Sequence, residues 1–170
     1  MPYAPSVHPD EELREWVASQ LLPSGGVVVA EIQGSVVAAM HTEQADGVSW
    51  LTQMAVDPAL VGKGIGSLLL AHALRTLSVP IRLYTFQANA GARKFYERHG
   101  FSAIEFTDGQ GNEEQCPDVL YELHATRTKR LMACWVFSFY VGRTREAVRR
   151  IKEARVFECG TLQASAPYEG

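Results

Sequence analysis

Met54-Ala55-Val56-Asp57-Pro58-Ala59-Leu60-Val61-Gly62-Lys63-Gly64-Ile65-Gly66-Ser67 carries a strand into a glycine-rich turn and then at once into an apolar helix. The backbone N–H groups from Lys63 to Ser67 fall where a helix offers them no acceptor, and the positive end of its dipole faces the turn. An anion is the natural guest there, a phosphate above all. The spacing Gly62, Gly64, Gly66 separates the known kinds of phosphate loop. A dinucleotide fingerprint requires glycine where Ser67 stands and an acid about 20 residues further on, where this chain has Phe86 and no acidic neighbour. A nucleoside-triphosphate loop requires lysine and then serine or threonine after its last glycine, whereas Lys63 lies between glycines. Both readings fail.

A second motif stands downstream at Asn89-Ala90-Gly91-Ala92-Arg93-Lys94-Phe95-Tyr96-Glu97-Arg98-His99-Gly100-Phe101. Its Asn, Ala, Phe-Tyr and Gly-Phe elements, in that order and after the glycine loop, resemble those of the GNAT N-acetyltransferase superfamily. The first motif then resembles that superfamily's acetyl-CoA pyrophosphate loop, with Gly64 and Gly66 in place and Val61 where the pattern has Arg or Gln. The resemblance covers about Ser6 to Leu123. It implies a mixed α/β fold with a largely antiparallel sheet flanked by helices, and acetyl-CoA as co-substrate.

The pattern along the chain agrees with that fold. Pro9 and the acids Asp10, Glu11 and Glu12 mark a helix start, and Leu13, Trp16, Val17 and Leu21 recur at helical spacing. Pro23-Ser24-Gly25-Gly26 ends the helix, and Val27 to Ile32 and Ser35 to His41 read as a hairpin about Gln33-Gly34. Strands are expected at Ser49 to Val56, Ile81 to Phe86, Phe101 to Phe106 and Val119 to Leu123. Helices are expected from Ile65 to Pro80 and over Gly91 to His99. Only Tyr3 to Val7 precede the first helix, so the first strand of a typical superfamily member is missing or very short here.

Two regions are expected, a GNAT domain at 1–124 and a basic extension at 125–170. The first carries 7 basic and 15 acidic side chains and the second 9 and 4, within a net charge of −3. An acidic body argues against nucleic acid as a partner and favours a cationic acceptor. In the extension, Leu131 to Val141 reads as a strand and Thr144 to Val156 as a basic helix. The tail could extend the sheet, pair with a second subunit in a homodimer, or stay poorly ordered. Cys116, Cys134 and Cys159 lack the spacing of a zinc or redox site, which points to a reducing compartment and to no metal. With no secretory signal and no apolar run of membrane-spanning length, a cytoplasmic protein without a membrane span is expected.

The resemblance assigns roles residue by residue. Lys63, Gly64, Ile65, Gly66 and Ser67 would bind the pyrophosphate. Met54, Ala55 and Val56 would meet the pantetheine arm and acetyl group, with Asn89 and Ala92 beside them. Tyr96 stands where the family keeps the tyrosine that meets the leaving thiolate; a thiol titrates near 8.5 and a tyrosine near 10. Trp50, Gln53 and Glu113 are expected on the acceptor side. The strand before the loop carries no acid, so the base that deprotonates the amine must come from elsewhere. His41, Glu43, Glu113, Glu114 and Asp118 are candidates, with Glu114 favoured. The reading is direct acetyl transfer to a primary amine of a small molecule or peptide. The alternative is an acyl-CoA-binding regulatory or interaction module with impaired catalysis.

Overall fold

The computed structural model describes residue 5, residues 7–124 and residues 155–158. A helix opens the fold as α1 (Asp10–Trp16), continues with π-helical geometry over Val17–Leu21 and ends in the turn α2 (Leu22–Ser24). The hairpin β1 (Val27–Ile32) and β2 (Ser35–Ala45) leads into β3 (Val48–Val56), a 3-10 turn at Pro58–Leu60 and α3 (Ile65–Thr76). Then come β4 (Ile81–Phe86), α4 (Ala90–Arg98), β5 (Ser102–Phe106) and β6 (Asp118–Leu123), with β7 at Arg155–Glu158. No strand precedes α1 among the described residues. Among those residues no helix is long and apolar enough to cross a membrane.

The seven strands form one sheet in the order β5-β6-β4-β3-β2-β1-β7. Every neighbouring pair is antiparallel except β3 and β4. The core lies on one face, where Ile65, Leu69, Leu70 and Ala73 of α3 and Tyr96 of α4 pack on Met40, Leu51, Leu83 and Tyr121. These α3 positions recur at three and four residues, the spacing that gives a helix one apolar stripe.

Of the courses open to the tail, residues 155–158 take the first and extend the sheet. Val28 pairs with Glu158 and Ala30 with Val156, which makes β1 an interior strand. Val27, Val28, Val29 and Ala30 are all buried. Arg155 and Val156, the last two residues of the helix expected at 144–156, are therefore strand residues. Propensity for a helix gave way to pairing with an open edge. The rest of that stretch, and the strand expected at 131–141, lie outside the described residues.

Two irregularities interrupt the middle of the sheet. Thr42 pairs with Leu51 and His41 with Gln53, so Thr52 is an extra residue in β3, a β-bulge. Such an insertion bends a strand and increases its twist. On the other side of β3, pairing with β4 is confined to Ser49 with Ile81 and Trp50 with Arg82. It stops immediately before the bulge. Beyond that point β4 stays bonded to β6 as far as Phe86 and Asp118, while β3 stays with β2 as far as Val56 and Ala38. The sheet is thus two halves joined at the start of β3 and β4, with a wedge between the later residues of these strands.

Candidate active site

The turn into α3 is built before any ligand is considered. Asp57 Oδ1 accepts from the Ala59 N–H at 2.8 Å, which caps the 3-10 turn. The Lys63 N–H donates to Leu60 O at 3.2 Å, and Lys63 Nζ donates to Ala59 O at 2.7 Å. Lys63 therefore braces the turn with both its main chain and its side chain. Gly62 and Gly64 have φ of 78° and 90°, the left-handed region that glycine enters without a Cβ penalty. The first bond inside α3 runs from Leu68 N to Gly64 O at 3.0 Å. The amides of Ile65, Gly66 and Ser67 precede it, and they are the ones a helix cannot serve internally. Val61 stands exposed at the rim of the turn.

Gly66 has a packing reason of its own. A Cβ there would lie 3.3 Å from Met54 Cε and 3.6 Å from Phe95 Cζ. Its absence lets the start of α3 sit against β3 and α4 together, so the amide cluster, the bulged strand and the Tyr96 helix converge.

On α4, Asn89 Oδ1 accepts from the Ala92 N–H at 3.0 Å, an N-cap that fixes the start of the helix. The far side of α4 is tied to the sheet, because Tyr121 Oη donates to Glu97 Oε1 at 2.6 Å and accepts from Arg93 Nε at 3.3 Å. Held in this way, Tyr96 points its hydroxyl at Met54 Sδ, 3.7 Å away on the wedge strand.

Tyr96 is 7% exposed, and burial pushes its phenol up to about 12. The unfolded value is about 10, so the fold favours the neutral form. Stability is therefore undiminished below pH 10 and falls as pH rises through 12, because the buried phenolate is disfavoured. Two units correspond to about 3 kcal/mol. Denaturant unfolding at pH 9 and pH 12 is expected to show that loss in the wild type, with a smaller loss in Tyr96→Phe. An identical loss in both proteins would place the alkaline sensitivity elsewhere.

The opposite face of the sheet presents a different surface. Trp50 and Tyr84 stack across the last paired rung of β3 and β4, with centroids 6.0 Å apart and planes 8° apart. The Arg82 guanidinium lies 6.0 Å over the Trp50 ring and pairs with the buried carboxylate of Glu122. Gln53 and Ala55 are exposed along the wedge, and Met54 and Val56 are half-buried. Arg82, Tyr84 and Glu122 were not singled out from sequence. The alternation Ile81, Arg82, Leu83, Tyr84 already marked two polar or amphipathic side chains on the outer face of a strand.

The acids that sequence offered as bases are separated by the fold. Asp118 is buried and scaffolds the β5–β6 loop, accepting from Thr107 Oγ1 at 2.6 Å and Asn112 Nδ2 at 2.9 Å. Glu113 Oε2 lies 3.1 Å from His8 Nε2, and the hydrogen bonds His8 donates to Glu113 and then Glu12 raise its pKa. Glu114 is half-buried, and its carbonyl accepts from the Cys116 thiol at 3.2 Å. Gln87 ties the loop to the end of β4 through Pro117 O at 2.9 Å and Thr107 O at 2.8 Å. Glu43 is exposed on β2. His41, 6% exposed, is bonded on both ring nitrogens, to Thr52 Oγ1 at 2.6 Å and Ser24 Oγ at 3.0 Å.

Comparison with known proteins gives one family and a consistent fold. The sequence profile of the acetyltransferase (GNAT) family matches residues 1–101. No curated protein matches the chain significantly. Among solved structures, Ard1 from Thermoplasma volcanium is 18% identical, with a TM-score of 0.57 over 71% of this chain and 82% of its own. The ribosomal-protein-S18-alanine N-acetyltransferase from Escherichia coli is 19% identical, with a TM-score of 0.54 over 74% and 83%. Naa50 from Arabidopsis thaliana, solved with the bisubstrate analogue CoA-Ac-MVNAL, is 22% identical, with a TM-score of 0.52 over 70% and 83%. At these identities the likeness is one of fold.

Proposed function

Because the chain belongs to the acetyltransferase (GNAT) family, we propose that it transfers an acetyl group from acetyl-CoA directly to a primary amine of a small molecule or peptide. The observation that carries this reading is the wedge. β3 and β4 part just after Trp50, and Gly66 at the start of α3 and the hydroxyl of Tyr96 both lie against the Met54 side chain.

The residues present fit acetyl-CoA. Ile65, Gly66 and Ser67 supply backbone donors for the pyrophosphate, in a turn shaped by Gly64 and braced by Lys63. The main chain of Met54, Ala55 and Val56, unpaired with β4, would receive the pantetheine arm as an added strand does. Asn89 and Ala92 form the neighbouring helix start. When bound, acetyl-CoA supplies the thioester, with its electrophilic carbonyl and a thiolate leaving group.

This chain's residues then do the rest. Amides freed by the wedge can meet charge that develops on the carbonyl oxygen, and such a donor contributes roughly 3 kcal/mol. Tyr96 is protonated at neutral pH, as any tyrosine is, and burial raises its pKa further, to about 12. Burial disfavours the phenolate that giving up this proton would leave. Tyr96 therefore acts by donating a hydrogen bond to the sulfur rather than by giving up its proton. Trp50 and Gln53 line the acceptor approach, and Glu113 and Glu114 add negative charge near it, suited to a cationic amine. The peptide joined to CoA in the Naa50 complex makes a peptide amino terminus one acceptor to try first.

Calorimetric titration of the full chain with acetyl-CoA, and separately with CoA, tests the reading. Micromolar binding of acetyl-CoA is expected, and amines can then be screened by thiol release. Exposed Val61 at the rim of the turn favours a second reading, a binding module without turnover. That reading expects binding and no thiol release with any amine. Failure to bind either ligand would overturn both.

A further inference from the structure

We propose that the amine's proton leaves through a relay formed by Thr52, His41 and Ser24, with the Thr52 hydroxyl as the group that meets the amine. The relay rests on the acetyltransferase reading and supplies the base that β3 does not carry as an acid.

Hydrogen counting fixes the direction of the chain of bonds. The Ser24 hydroxyl has one proton, and its shortest acceptor is Leu21 O at 2.7 Å, with Gly25 O at 3.2 Å. Committed there, Ser24 Oγ can only accept from His41 Nε2 at 3.0 Å. Nε2 therefore carries the ring proton of the neutral imidazole, and Nδ1 presents a lone pair. Thr52 Oγ1, 2.6 Å from Nδ1, must be the donor. Its hydroxyl proton points into the protein while its oxygen lone pairs are left for a guest. A buried imidazole with an acceptor behind it and a hydroxyl in front is the arrangement that makes a hydroxyl basic.

The fold puts that hydroxyl where an amine would arrive. Thr52 is the inserted residue of the β-bulge, exposed, and two residues from Met54, the Tyr96 partner on the wedge. His41 is held by β2, opposite Val27 in one ladder and Gln53 in the other. Neither of those partners titrates. Glu43, exposed two positions along β2, is the charged neighbour on His41's own strand. In the bulge Thr52 and Gln53 together stand opposite His41, and the Thr52 hydroxyl meets the imidazole.

The transfer balances in protons and electrons. An N–H bond of the ammonium breaks, and its proton passes to Thr52 Oγ1 as the hydroxyl proton moves to His41 Nδ1. The imidazolium is held by Ser24 Oγ at Nε2. The neutral amine then forms the C–N bond while the C–S bond breaks and the electron pair leaves on sulfur; the second nitrogen proton passes to that thiolate, which gives the amide and the free thiol of CoA. The relay resets by returning the proton through exposed Thr52 to water.

Three variants and one spectroscopic readout test this. Thr52→Val keeps the shape and removes the hydroxyl. It should lower kcat about 100-fold with acetyl-CoA affinity unchanged, using a peptide with a free amino terminus, a lysine peptide and a polyamine as probe acceptors. Thr52→Ser should restore most of the rate, and Thr76→Val, which removes an exposed hydroxyl bonded to His72 O at the far end of α3, should stay within about threefold of wild type. Nitrogen-15 shifts of His41 in the free, full chain should show a protonated Nε2 and a bare Nδ1, with the Nδ1 shift changed by Thr52→Val. That readout needs no acceptor. A ring protonated on Nδ1, or a Thr52→Val enzyme that matches wild type, overturns the relay while leaving the acetyltransferase reading intact. A chain that does not bind acetyl-CoA overturns both.

Discussion

Tyr96→Phe is expected to acetylate about 100-fold more slowly than the wild type while binding acetyl-CoA equally well. Removing one preorganised donor from a developing negative charge has an effect of that size. The hydroxyl lies in a water-poor site beside Phe95, Phe101 and Tyr121, with ring centroids 5.2, 5.7 and 6.3 Å from its own. There a hydrogen bond to an anion is worth more than in water. Its ground-state acceptor is a thioether at 3.7 Å, a weak partner. The hydroxyl thus contributes little to folding at neutral pH, and the melting temperature should hold or rise slightly in the variant. Single-turnover kinetics separate the two effects. Equal rates for both proteins would remove Tyr96 from the chemistry.

The largest effect on stability is expected at Gly26→Ala. Gly26 has φ of 70°, and a Cβ there would lie 2.0 Å from the carbonyl oxygen of Thr42. Both atoms belong to rigid main chain, since the Thr42 N–H donates to Gly26 O at 3.0 Å and locks β2 to the start of β1. No side-chain rotation relieves the contact, so the strands must separate. Gly25 provides the control, with φ of 78° and nothing within 4 Å of its missing Cβ. Gly25, with ψ of −174°, lies in a region that glycine alone enters readily, and Gly25→Ala should lose about 2 kcal/mol from backbone strain alone. Gly26→Ala should lose about 4 kcal/mol, placing it with the exceptional cases of main-chain conflict, and about 15 °C in melting temperature. Equal losses for the two variants would mean that β1 and β2 yield at Thr42. Because His41 adjoins Thr42, such yielding would also register in the His41 ring shifts.

Most of the architecture was legible from periodicity and punctuation. Asp10 to Ser24, the hairpin about Gln33-Gly34, and Ile81 to Phe86 lie where pattern and turn residues put them. These are local signals, carried by neighbours in the chain. What sequence did not disclose depends on pairing between distant segments. The bulge exists because Thr42 finds Leu51 while His41 finds Gln53, a count that neither strand contains by itself. The strand at 155–158 exists because β1 leaves an edge to be filled, although Arg155 and Val156 also suited the end of a basic helix. The candidate site divides in the same way. Gly64, Gly66, Asn89 and Tyr96 could be found from motif spacing. The acids could not be ranked, since Asp118 is committed to its loop and Glu113 to His8 through contacts across the fold. His41 was visible only as a histidine on a strand until Thr52 and Ser24 closed around it.

The seventh strand sets a timetable for folding. Residues 28–31 pair with residues 155–158, so this ladder closes a loop of more than about 120 residues. Contacts of such long sequence separation slow folding, because the chain entropy must be lost before the contact rewards it. During synthesis the β1 edge, with Val27, Val28 and Val29 in it, emerges early and waits for Arg155–Glu158. A valine-rich edge left open through that interval is a template for pairing with another nascent chain. The yield of folded protein is therefore expected to rise with the speed at which residues 155–158 reach β1.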